Sequence, residues 1–126
     1  MKKNYVVAWF TIAGIIGILF GVFYAIFGLE GLPVYQRFVP VANFEAWSRG
    51  LYGSTFIGFS VLLLLVGRRA AQQDDEYLAK VLLGGILAWL VVEAFVSIVY
   101  GVYINVAVDV ALAIFLGYPL LKVIRR

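Results

Sequence analysis

Two carboxylates stand where carboxylates are costly. Glu93 lies within LAWLVVEAFVSIVYG and Asp109 within INVAVDVALAIFLG, both otherwise strongly apolar. Gly101 offers a turn between them, with Glu93 eight residues before it and Asp109 eight after. With helices on either side, a rise of about 1.5 Å per residue sets both acids roughly 12 Å from the same end of a hairpin. Acids inside a membrane usually face a bundle interior and mark an ion, proton or ligand site. Ser97 and Tyr100 follow Glu93 on its helical face, and Trp89 precedes it by four residues. Asn105, four before Asp109, makes the matching face on the next helix.

A buried carboxylate can take a proton, pair with a cation or accept several hydrogen bonds. Arg49 is the one arginine expected near this depth and is the pairing candidate for one acid, with Tyr52 three residues further on and Tyr24 at the end of the first span. The second acid is then left to bind a proton, a cation or a cationic ligand. A different reading stays open beside this one. Arg49 then snorkels to headgroups, Glu93 is a neutral acid bonded to Ser97 or Tyr100, and the polar groups hold helices together at about 0.6–2 kcal/mol per contact.

The elements that must position these residues follow from composition. The chain has 126 residues, 64% hydrophobic and 13% charged, with a mean hydropathy of +1.01. Soluble domains average about 45–50% apolar and about 25% charged, so an integral membrane protein is expected. At ~20 residues per span, the reading is an all-α, four-transmembrane-helix bundle forming a single membrane domain, 1–126, with spans near 5–27, 47–66, 78–100 and 103–121. Tyr5 to Phe27 is too long for a signal-peptide core and lacks a small-x-small cleavage site, so it reads as a retained span. Without cysteine or histidine, disulfides, thiol redox chemistry, imidazole-ligated haem, typical zinc or copper sites and Ser-His or Cys-His nucleophiles are excluded. No cofactor and no metal site are expected. The net charge of +3 points to membrane lipids rather than nucleic acid, since no basic run is interleaved with aromatics.

Small residues recur every fourth position at Ala13, Gly17, Gly21 and Ala25, and again at Gly50, Ser54 and Gly58. Such stripes are the usual helix-packing seams in lipid. The longest connection, 28–46, holds Pro33 and Pro40, which forbid one continuous helix there and suggest an interfacial segment with a short helix. Lysine and arginine fall at Lys2, Lys3, Arg68, Arg69, Lys80, Lys122, Arg125 and Arg126 on one side, against Arg37 and Arg49 on the other. The positive-inside rule then places both termini in the cytoplasm of an inner-membrane protein, with the proline-containing loop between helices 1 and 2 outside.

The stretch Trp47-Ser48-Arg49-Gly50-Leu51-Tyr52-Gly53-Ser54, running straight into a hydrophobic span, resembles the Arg-x-x-Tyr-Gly-small start of the second helix in a DoxX-like family of bacterial four-helix inner-membrane proteins, a domain of unknown function. The resemblance covers the four-span layout, the proline-containing outer loop and this motif. It implies the fold. In that family the third helix carries an arginine and the fourth a glutamate, whereas here the third has Glu93 and the fourth Asp109.

The function expected is a small non-enzymatic membrane protein whose outward-side pocket binds a small molecule, lipid or cation. Two alternatives stand beside it. One is a proton- or cation-coupled transporter acting as a homodimer. The other is a scaffold or accessory subunit packing through its small-residue faces.

Overall fold

The computed structural model describes residue 12, residues 15–16 and residues 19–125. About half of the expected first span, Gly17 included, falls outside the described residues. What is described is helical, with no strand. Three helices, Val41–Gln72, Glu76–Val99 and Tyr103–Ile124, are long and apolar enough to cross a membrane. The chain divides into two compact units, Met1–Gly53 and Ser54–Arg126.

In the first unit, helix α1 is described over residues 19–27 and stops at Gly28, whose φ of +62° leaves the helical region. A 3-10 turn, Leu29–Gly31, buries Leu29. Helix α2, Pro33–Phe38, takes Pro33 at its first turn, where the missing N–H is not needed. Each proline works through the residue before it. Leu32 and Val39 share an extended backbone, φ near −100° with ψ 118°, as steric conflict with the following ring requires. The segment between α1 and the next helix is therefore mostly short helix, pinned by aromatic contacts. Trp47 packs against Tyr35 at 5.3 Å and against Phe44 at 5.6 Å between ring centroids.

Helix α3 runs from Val41 to Gln72, 32 residues or about 48 Å. It outruns the expected span of 47–66 at both ends. Hydropathy marks where the apolar stretch ends, but Arg68, Arg69, Ala70 and Ala71 are all good helix formers, so the helix continues through them. It stops where Asp74 turns to φ 48°, with the Asp75 N–H reaching back to the Ala70 carbonyl at 2.9 Å. Asp75 also begins the next helix, accepting a hydrogen bond from the Leu78 N–H at 3.0 Å.

In the second unit, α4 (Glu76–Val99) and α5 (Tyr103–Ile124) form the most closely packed pair of helices. Their turn is a Schellman motif. The Val102 N–H donates to the Ser97 carbonyl at 2.8 Å and the Gly101 N–H to the Ile98 carbonyl at 3.0 Å. This geometry needs Gly101 at φ +72°. An added Cβ there would meet no atom within 4 Å, so a substitution costs backbone strain alone. Gly101→Val is expected to destabilise the hairpin by roughly 1–2 kcal/mol, read as a lower unfolding midpoint by circular dichroism in detergent. An unchanged midpoint would mean the turn does not hold the pair.

Away from the turn the buried seam of the hairpin is apolar. Ile86 is fully buried and clusters with Ala70, Ala79, Leu90, Leu120 and Val123. The close helix approaches lie at Gly67, where an added Cβ would stand 3.4 Å from Leu82, and at Gly117, 3.4 Å from Leu83. At Gly21, Gly50 and Gly58 it would meet nothing within 4 Å. Among the described residues, those stripe positions have no packing partner within their own units.

Candidate functional site

The Gly101 turn fixes which α4 residue meets which α5 residue. Ser97 and Asn105, each four residues from Gly101, come into contact, with Asn105 Nδ2 donating to Ser97 Oγ at 2.9 Å. One helical turn further from the tip lie Glu93 and Asp109. The same Asn105 nitrogen is 3.4 Å from Glu93 Oε1 and 3.4 Å from Asp109 Oδ2. The two carboxylates thus stand within twice that distance of each other, on neighbouring helices, with one amide between them.

The hydroxyl of Ser97 is already committed. It donates to the Glu93 backbone carbonyl at 2.8 Å, the back-bond a helical serine commonly makes, rather than to the Glu93 carboxylate. Ser97 and Asp109 are buried, at 8% and 3% exposure, while Glu93 and Asn105 are half-buried. Asp109 Oδ1 is buried and has no hydrogen-bond partner among the described residues. Neither acid has an ion-pair partner there. The described residues also contain no group of three or more His, Cys, Asp or Glu able to hold a metal ion.

Trp89 lies one turn below Glu93 on α4, wedged by α3. Its ring centroid is 5.0 Å from that of Phe59 and 5.7 Å from that of Phe56. These two phenylalanines were not singled out from the sequence, although their spacing of three residues placed them on one face of α3. Ser54 and Gly58 share that part of α3 and are exposed in the isolated chain. Tyr24, Arg49, Tyr52 and Gly50 belong to the first unit. Tyr24 is half-buried and its carbonyl accepts the Gly28 N–H at 2.8 Å, while Arg49 and Tyr52 are exposed on α3. Of the expected site residues, four meet in one hydrogen-bonded cluster: Glu93, Ser97, Asn105 and Asp109.

The first unit has a cavity of its own, about 310 Å³, lined by Glu30, Gln36, Val39, Val41, Phe44 and Glu45. Gln36 closes one side by donating to the Glu30 carbonyl. Its two acids are exposed and need no partner beyond water.

No family model, curated protein or solved structure matches the chain. The functional reading therefore rests on the geometry of the α4–α5 hairpin.

Proposed function

We propose that this chain is a non-enzymatic, multi-pass inner-membrane protein that binds a small positively charged group, a cation or the ammonium of a small molecule or lipid, at the Glu93–Asn105–Asp109 level of its last hairpin. The observation that carries this reading is one amide nitrogen serving two carboxylates on adjacent apolar helices. Inter-helix adhesion alone is well served by a neutral pair such as Asn105 and Ser97. Two acids at the same level add repulsion and desolvation cost, which a bound positive charge offsets. In this reading the four-span layout follows the apolar runs, and the cytoplasmic termini and the outward position of the turn follow the lysine and arginine distribution. The DoxX-like resemblance of the second helix belongs to the same proposal.

The test is retention of ligand. Native mass spectrometry of the protein released from lipid is expected to show a bound species that Glu93→Gln and Asp109→Asn each reduce at least tenfold, while the exposed Glu45→Gln leaves it in place. Equal retention in all three variants would move the function elsewhere.

A second reading, a proton- or cation-coupled transporter built from two copies, has one observation in its favour. The most apolar stretch of α3 has no fully buried residue, so the sides of it that do not pack on Trp89 are open to lipid or a second chain. Cross-linking across α3 in bilayers, together with cation flux that Asp109→Asn abolishes, separates this reading from the first.

A further inference from the structure

The polar level of the hairpin is short of hydrogen atoms. Its donors are the Ser97 hydroxyl and the two amide hydrogens of Asn105. The hydroxyl is used by the Glu93 carbonyl and one amide hydrogen by Ser97 Oγ. A single N–H remains, shared at 3.4 Å between Glu93 Oε1 and Asp109 Oδ2. Asp109 Oδ1 receives nothing from the described residues, and Asp109 is 97% buried, being 3% exposed.

Among the described residues of this unit, charge does not make up the shortage. On α4 and α5, the other charged groups are Glu76 and Lys80 at the start of one helix, and Lys122 near the end of the other, with Arg125 just beyond it. All four sit at the end of the hairpin away from Gly101. The phenols of Tyr100 and Tyr103 are exposed at the tip. From the part of α3 in the same unit the charged groups are Arg68 and Arg69, again at the far end, beside the turn into α4. Among the described residues of this unit, Glu93 is thus the charged group that faces Asp109, and it has the same sign.

A proton is the one cation that needs no space at this level. We propose that Glu93 and Asp109 form a one-proton pair. A single proton is held between the two side chains, with the O–H of one carboxyl donating to the carboxylate of the other. The free N–H of Asn105 caps the ionised partner. The pair then carries one negative charge instead of two, and the missing hydrogen is supplied from within. This deepens the site described above and rests on it in one respect: a cation or ammonium group that enters displaces this proton, leaving the charge of the level unchanged.

Infrared spectroscopy of the full chain in lipid nanodiscs at neutral pH tests the pair directly, by counting protonated carboxyl groups from the C=O stretch and its shift in D2O. One carboxylic acid per chain is expected in the wild type. Glu93→Gln and Asp109→Asn are each expected to reduce this to none, because each removes the neighbouring charge and puts an amide, with its own N–H donors, in place of the carboxyl that supplied the missing hydrogen. Glu30→Gln and Glu45→Gln, exposed acids of the first unit, are expected to leave it at one. Because a bound cation displaces the proton, the wild-type spectrum is taken after any retained ligand has been dialysed away. It is then decisive by itself, since absence of any carboxylic acid overturns the pair whether or not the variants fold. A band that survives Glu93→Gln overturns sharing as well, for Asp109 then holds the proton alone. Loss of ligand retention in the two variants without a wild-type band removes the proton and keeps the site. A band that both variants abolish, with ligand retention unaffected, does the reverse.

Discussion

Replacing Asn105 with leucine lowers the unfolding temperature of the hairpin markedly, and adding Asp109→Asn to that variant returns part of the loss. This result is expected because Asn105 is the polar residue that touches everything at its level: Ser97 at 2.9 Å and both acids at 3.4 Å. Polar contacts between helices in a membrane are worth about 0.6–1.7 kcal/mol each, since the dissociated helices also find partners. Leaving two acids without their shared donor adds to that, because a buried charge stripped of its partner costs more than the intact arrangement gains. Together the loss is expected to be roughly 2–4 kcal/mol. The second substitution removes one acid and supplies an amide in its place, so about half of the loss is restored. Thermal melts of the single and double variants in the same detergent decide it. A double variant no more stable than Asn105→Leu would show that the acids are indifferent to the amide.

Ile86→Ala is the second large effect, and it strikes the other end of the hairpin. Among the described residues Ile86 is the largest side chain that is fully buried, and it belongs to one cluster with Ala79, Leu90 and Leu120. In water-soluble cores such a truncation costs about 2–5 kcal/mol, part of it the transfer of methyl groups from water and part the cavity left behind. Helices that separate within lipid gain little from the transfer part, so the cavity and lost dispersion contacts dominate and roughly 2 kcal/mol is expected. Glu93 lies two helical turns away on the same helix, about 10 Å. Ile86→Ala should therefore lower stability while leaving the carboxyl band and ligand retention as they are in the wild type. A loss of either would mean that packing at the apolar end holds the polar level in place.

Much of the hairpin was legible in the sequence. A glycine between two apolar runs, with acids at equal counts on either side, suffices to predict that Glu93 and Asp109 share a level, because helix rise and a left-handed turn residue leave little freedom. Pro33 and Pro40 marked the breaks around α2 for an equally local reason, the constraint each places on Leu32 and Val39. Other features depend on what lies opposite and so were not legible. Spacing of four placed Gly21, Gly50 and Gly58 on helix faces, but periodicity names no partner, and it gave no sign of the close approaches at Gly67 and Gly117. The commitment of the Ser97 hydroxyl to a backbone carbonyl, and the resulting shortage at Asp109 Oδ1, are matters of atoms rather than of residue types. The length of α3 was missed because apolarity and helicity end at different residues.

The three residues that join α4 to α5 also act as a phase setting. Each residue added or removed between Val99 and Tyr103 would rotate all of α5 by about 100° relative to α4. A single insertion would carry Asn105 off the seam and swing Ile104 or Val106 into its place, leaving composition and hydropathy almost untouched. In this chain, then, the length of the tip is itself chemical information, as binding on the polar level as the identity of any side chain there.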